Sequence, residues 1–271
     1  MSTVTRLSVP SFDLVWVTLM DGKEPMVLIP GGGGSTKSGV KNQIQVAKYE
    51  GARGFTLMKS FMTDAADKSN LCSAIATGIL EGKAIVCAVV DDTCLIFRAT
   101  RAEDGELNLT KMTEFKADFN KEYASVNCCL VASKHILTGG EDHTCRLWSL
   151  SQESADESSS WNVKQIREMK GHSAPIMAIA RHPTRPWILT ASKDGSCKIF
   201  DASNGQGNCR SSDFKLKRLL HYVQSSSISR QWMGRMVRSG RQCQWSVAAV
   251  RFLPLANTSI PYKAEREARV T

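Results

Sequence analysis

The chain is 271 residues long and 42% hydrophobic, with a formal net charge of +9 at pH 7. That is enough apolar material for a large core, and no run of about 18 apolar residues is present to span a bilayer as a helix. Nine cysteines, an odd number in a chain of this size, argue against a disulfide framework, which belongs to smaller chains with paired spacing.

Met1–Pro10 lacks the apolar stretch of a signal peptide. Two short apolar runs follow, Met26–Ile29 and Ile44–Val46, and both predict strands. Between them lies Pro30-Gly31-Gly32-Gly33-Gly34-Ser35-Thr36-Lys37-Ser38-Gly39-Val40-Lys41-Asn42, far longer than the roughly two to five residues a hairpin needs. Four glycines lose entropy on ordering and pack nothing. A loop of this length and composition therefore reads as functional rather than connective. It is not a phosphate-cradling loop. That motif needs a glycine before its lysine and a helix after it, whereas Thr36 precedes Lys37 and Gln43-Ile44-Gln45-Val46 alternates like a strand.

A repeat follows. Asp91-Asp92-Thr93-Cys94-Leu95-Ile96-Phe97, Asp142-His143-Thr144-Cys145-Arg146-Leu147-Trp148 and Asp194-Gly195-Ser196-Cys197-Lys198-Ile199-Phe200 align directly, their aspartates 51 and 52 residues apart. Each is preceded by an apolar run, Ala84–Val90, His135–Thr138 and Trp187–Thr190, so each unit reads strand, acidic turn, strand ending in an aromatic. Asn42–Val46 is a fourth, weaker copy, and Trp245–Phe252 begins a fifth. Strand-built units at this period predict an all-β propeller, with about five blades visible. The unit opened by Gly171-His172 carries the fullest pattern. His172, Asp194, Thr190 or Ser192, and Phe200 occupy the places of the buried hydrogen-bond network of a WD-repeat blade, with Asp142 and Trp148 at the matching places one unit earlier. Phe200 has no indole N–H, so that network is one bond short. His172 is a structural residue on this reading, not a catalyst or ligand.

Cys94, Cys145 and Cys197 recur at one strand position and read as small buried hydrophobes. Cys128-Cys129 has no His/Cys cluster to complete a metal set, so no metal is assigned. Ser151–Ser160 is serine-rich and acidic, an inter-blade loop. From Arg210 to Arg251, nine Lys and Arg face the single acid Asp213. This stretch, within a basic insertion over 203–244, reads as a solvated insertion, or as a contact with an anionic membrane, a protein or nucleic acid. Nucleic acid is disfavoured because Trp232 and Trp245 are the only tryptophans near as stacking platforms. No stretch holds a catalytic constellation.

The glycine-rich loop with Lys37, Gly39, Val40 and Asn42, followed by Gly139-Gly140-Glu141-Asp142 with Arg146-Leu147-Trp148 and by Ser192-Lys193-Asp194-Gly195, resembles the cytosolic propeller of the endoplasmic-reticulum exchange factors for the Sar-type small GTPase. The family includes the animal prolactin regulatory element-binding protein. The resemblance covers residues 12–202, is poor from Cys209 to Gln244 and returns faintly at Val247–Pro254. It implies guanine-nucleotide exchange without covalent chemistry, starting COPII coat assembly on the cytosolic face of the endoplasmic-reticulum membrane. It further implies that Gly31, Gly32, Gly33, Gly34, Lys37, Gly39 and Asn42 form the GTPase-contacting loop, with the Asn42 amide pinning its base, no cofactor being required. Exposed loop carbonyls are also of the kind that hold a monovalent cation. Changing Asn42 or Gly32-Gly33 to alanine is expected to abolish exchange and leave the fold intact. The family has about seven blades and a membrane anchor after them, so the whole chain, 1–271, is expected to be one incomplete propeller domain, with unpaired strand edges that favour aggregation. The alternative is a WD-repeat scaffold without exchange activity.

Overall fold

A computed structural model describes residues 5–207, apart from 18, 22, 35–38, 64–70 and 153–160. The fifth unit at Trp245–Phe252 and the basic stretch from Arg210 to Arg251 lie outside the described residues. What is described is all β apart from one short 3₁₀ turn, and it falls into four antiparallel sheets.

The first sheet is β1 (Val15–Val17), β2 (Met26–Gly31), β3 (Gln43–Tyr49) and β4 (Phe55–Met62). The second is β5 (Cys72–Leu80), β6 (Lys83–Val90), β7 (Thr93–Arg101) and β8 (Leu107–Lys116). The third is β9 (Val126–Ala132), β10 (His135–Gly140), β11 (Cys145–Gln152) and β12 (Trp161–Met169). A three-stranded sheet, β13 (Ile176–Arg181), β14 (Trp187–Ser192) and β15 (Cys197–Asp201), follows. Strands pair in chain order within every sheet, and the first strands of successive sheets pack on one another. The sheets are therefore blades set side by side around a common axis.

Burial explains why the middle strands read as continuous apolar runs. Every residue of Ala84–Val90 is buried, yet successive side chains leave on opposite faces. Ala84, Val86, Ala88 and Val90 join Met26, Leu28, Ile44 and Val46 in the core between blades one and two. Ile85, Cys87 and Val89 meet Ile136, Trp148 and Leu150 of blade three. Leu137, Cys145 and Leu147 face Ile176, Ile188 and Phe200 of blade four. A strand clamped between two neighbours has no polar face to show. The vicinal pair divides in the same way, Cys129 toward blade two and Cys128 toward blade four.

The repeat extends to irregularities. The third and fourth strands of each four-stranded blade slip register at one place: Val46/Ala47, Ile96/Phe97 and Leu147/Trp148. A bulge raises local twist, which a blade that twists from axis to rim requires. Two expectations change in detail. The third strands do not stop at the aromatic, since β7 runs on to Arg101 and β11 to Gln152. The three aspartates are also not equivalent. Val90 pairs directly with Thr93, leaving Asp91-Asp92 as a two-residue turn, whereas the third and fourth blades carry longer turns before Cys145 and Cys197. Cys94 and Cys145 are buried as expected but Cys197 is exposed. Burial pushes the Cys145 thiol up, consistent with an inert core residue.

The face of blade one turned away from blade two is covered by residues 5–12. Thr5 Oγ1 accepts from Phe55 N–H at 3.1 Å, Gln45 Nε2 donates to Ser8 Oγ at 2.6 Å, and Gly32 N–H donates to Pro10 O at 3.0 Å. Leu7, Trp16 and Phe55 cover Val27, Ile29 and Ala47 there. Among the described residues no helix is long and apolar enough to cross a membrane.

Candidate protein-interaction face

Antiparallel order puts the β2–β3, β6–β7, β10–β11 and β14–β15 turns at one end of the blades, together with the β4–β5, β8–β9 and β12–β13 connections. The glycine-rich loop is the β2–β3 connection, so it stands on this end beside the acidic turns.

Its base is tightly built. Asn42 is fully buried. Its Oδ1 accepts from Gly34 N–H at 2.9 Å and its Nδ2 donates to Gly34 O at 3.1 Å. Its own carbonyl accepts from Thr63 N–H at 3.0 Å, at the end of β4. An amide is the side chain that can donate and accept at once, and here it closes the loop like one more rung of the ladder. Two glycines are fixed by what surrounds them. A Cβ on Gly31 would lie 2.1 Å from Pro10 O, and one on Gly32, whose φ is +149°, would lie 2.2 Å from Asn42 Oδ1. Both residues are buried, Gly33 and Gly34 are half-buried, and Gly39, Val40 and Lys41 are exposed. Lys37 lies outside the described residues. The expected cation site rests on exposed carbonyls of the loop; residues 35–38 are also outside the described residues, and the Gly34 carbonyl is already engaged by Asn42.

The blade network is present in two complementary halves. In blade four, His172 Nδ1 lies 2.8 Å from Asp194 Oδ2, and Nε2 lies 2.8 Å from Thr190 Oγ1. Thr190, rather than Ser192, is the partner. Asp194 also accepts from Ser196 N–H at 2.8 Å, Ser196 Oγ at 2.6 Å and Ser173 N–H at 3.1 Å. An ionised carboxylate only accepts, so Nδ1 carries a proton toward Asp194, while Thr190 Oγ1 lies between Nε2 and the Lys198 carbonyl, 3.3 Å away. Phe200 is buried but adds no donor. In blade three, Trp148 Nε1 donates to Thr138 Oγ1 at 2.9 Å, and no histidine is there.

A fully buried Asp118 lies against the turn instead. Its carboxylate accepts from Asp142 N–H and Asn120 N–H, each at 3.0 Å, and burial pushes its pKa up. Arg146 balances the acids. Its Nη1 reaches Asp142 Oδ2 at 2.5 Å and Ala117 O at 3.3 Å, and its Nε reaches Glu168 Oε1 at 3.2 Å. Lys198 sits at the matching place in blade four and donates to Gly171 O. Sequence reasoning missed Asp118, which no motif marks.

Burial would raise the Asp194 carboxyl, but bonds from Ser196, His172 and Ser173 outweigh it and hold it well below the usual carboxylate range. A carboxyl depressed in the fold contributes stability fully present above its unfolded value of about 3.9, and loses it as pH falls toward the folded value. Stability below about pH 5 is therefore expected to fall less steeply in Asp194→Asn than in the parent. Urea titrations across the acid range check this; equal slopes would contradict it.

Residues 114–149 and 163–201 match the WD domain, G-beta repeat. Each stretch begins in the outer strand of one blade and runs through three strands of the next, the two blades that carry the networks. These are WD repeats. Blade one and the first three strands of blade two fall outside the matched stretches. The chain is 34% identical over 76 residues to the BEACH domain-containing protein lvsD of Dictyostelium discoideum, covering 28% of this chain and 2% of that protein. It is 23% identical over 126 residues to the guanine nucleotide-binding protein subunit beta of Arabidopsis thaliana, covering 44% and 30%. Among solved structures, Sqt1 of Chaetomium thermophilum bound to the N-terminus of the ribosomal protein L10 superposes with a TM-score of 0.53 at 16% identity, over 73% of this chain and 50% of that one. The chain thus spans less than a third of the length of these curated relatives and half of that solved neighbour.

The opposite end carries a cleft of about 370 Å³ between blades one and two, lined by Asp21, Lys83, Arg98 and Arg101 among others. Arg101 is committed to Asp21 at 2.6 Å and to the carbonyls of Glu24 and Gly105. It clasps blades one and two together. Among the described residues no group of three His, Cys, Asp or Glu side chains could hold a metal ion.

Proposed function

We propose that this WD-repeat chain binds a Sar-type small GTPase and promotes its release of GDP, without covalent chemistry. The observation that carries the reading is the Asn42–Gly34 clamp. It fixes the root of a glycine-rich connection on a rigid blade and leaves Gly39, Val40 and Lys41 exposed. Because Gly31 and Gly32 are buried, partner contact falls to the segment beyond them, and Gly31 and Gly32 set its direction of exit. A loop held at its base and rich in glycine approaches another backbone closely, as prying at a nucleotide site demands. The protein works on this reading at the cytosolic face of the endoplasmic reticulum, where GTP loading starts COPII assembly.

Stopped-flow release of a fluorescent GDP analogue from a Sar-type GTPase tests it. Acceleration rising with the concentration of the chain is expected, with no effect on an unrelated small GTPase. Folded protein that leaves the rate unchanged would leave the second reading, a WD-repeat scaffold. The rigid, well-bonded connections of blades three and four favour that reading, since they need no GTPase to explain them.

A further inference from the structure

The β8–β9 connection, residues 117–125, is a heavily bonded loop on the interaction face. Asp118 is buried beneath it. Asn120 Oδ1 accepts from the N–H groups of Glu122 and Tyr123 at 2.9 and 3.1 Å, and Asn120 Nδ2 donates to Glu141 O at 3.0 Å. Phe119 N–H donates to Asp142 Oδ2 at 3.1 Å. Yet this fixed loop presents two aromatic rings to solvent: Phe119 is 49% exposed and Tyr123 70%. The Phe119 ring is steadied by the Arg146 guanidinium, 4.8 Å from its centroid, and by Lys116, at 5.9 Å.

Rigid exposed aromatics are what partner surfaces use as anchors, because little side-chain entropy is lost when they dock. We infer that Phe119 and Tyr123 form a second contact for the partner held by the glycine-rich loop, an anchor separate from the exchange element. This rests on the exchange reading above. The placement suits it. A Cβ on Gly34 would lie 3.9 Å from Leu71, at the start of blade two, and Lys116 bonds Asp92 in the blade-two turn at 2.9 Å. The loop root and the aromatic pair thus flank the same blade end. A partner burying roughly 800 Å² of this face would cover both.

An anchor changes affinity, whereas the exchange element changes the rate at saturation. The test is the full chain carrying Phe119→Ala, Tyr123→Ala or both, measured for Kd against nucleotide-free Sar-type GTPase and for release rate against concentration. The double variant is expected to bind at least about tenfold more weakly while its maximal release rate stays within about twofold of the parent. Tyr123→Ala alone removes a ring that supports no core contact, so a loss of affinity there cannot come from unfolding. Parent affinity in the double variant overturns the anchor and leaves the exchange reading standing. A parent chain that neither binds nor accelerates the GTPase overturns the exchange reading, and this partner with it.

Discussion

Asn42→Ala is expected to lower nucleotide release by about two orders of magnitude and also to lower the melting temperature by several degrees. The second effect follows from the structure. Asn42 is fully buried and satisfies both the N–H and the carbonyl of Gly34. Truncation leaves those groups without their partner, at a cost of about 1–3 kcal/mol, which in a domain of this size moves the midpoint by a few degrees per kcal/mol. The sequence had suggested a loop separable from the fold, and the buried amide revises that. Gly32→Ala should give the same phenotype from the other side, because its Cβ would lie 2.2 Å from Asn42 Oδ1. Asn42→Asp keeps the acceptor toward Gly34 N–H but sets a carboxylate against Gly34 O, so it should not rescue. Stopped-flow release measured well below the melting temperature of each variant separates the two effects. Full activity in folded Asn42→Ala would remove the loop from the mechanism.

Arg146→Met should be the most destabilising single change on the face, costing about 3–5 kcal/mol at neutral pH. The guanidinium is 5% exposed and bonds Asp142, Glu168 and the Ala117 carbonyl. Methionine of similar length fills the space but leaves Asp142 beside the buried Asp118 with no cation between blades. Protonating Asp118, whose pKa burial raises, relieves that repulsion, so the deficit should shrink as pH falls through the carboxylate range. Urea unfolding of parent and variant at neutral and acid pH reads both. A loss under about 1 kcal/mol at neutral pH would mean that solvent already screens the acids.

Which of these features could be read beforehand follows from how local they are. Ala84–Val90 declared a strand buried on both faces because its whole apolar run had to be covered. The Asp-x-x-Cys turns marked the blade ends, and His172, Asp194 and Thr190 announced a network whose missing donor at Phe200 was also visible. The amide of Asn42 suggested a pinned loop. What escaped was the product of three-dimensional neighbours. Equal spacing of the aspartates hid a shortened turn at Asp91-Asp92, because the missing residue lies before Asp91 and leaves the distance from each aspartate to its cysteine unchanged. Asp118 and Arg146 lie far apart in the chain and meet only when two blades stack. The cover over blade one, through Thr5, Ser8 and Pro10, has no periodicity to reveal it. Phe119 and Tyr123 gave no sign of exposure, since an aromatic near a strand end normally predicts core.

An exchange factor must prefer the nucleotide-free GTPase, because equal affinity for both states shifts nothing. The most direct measurement is therefore the pair of dissociation constants for the nucleotide-free and GDP-loaded Sar-type GTPase, taken with one preparation of the chain by biolayer interferometry. At least about a hundredfold tighter binding to the nucleotide-free form is expected, a difference of about 2.7 kcal/mol, collapsing toward unity in Asn42→Ala. Equal affinities in the parent chain would contradict exchange activity and leave a WD-repeat scaffold.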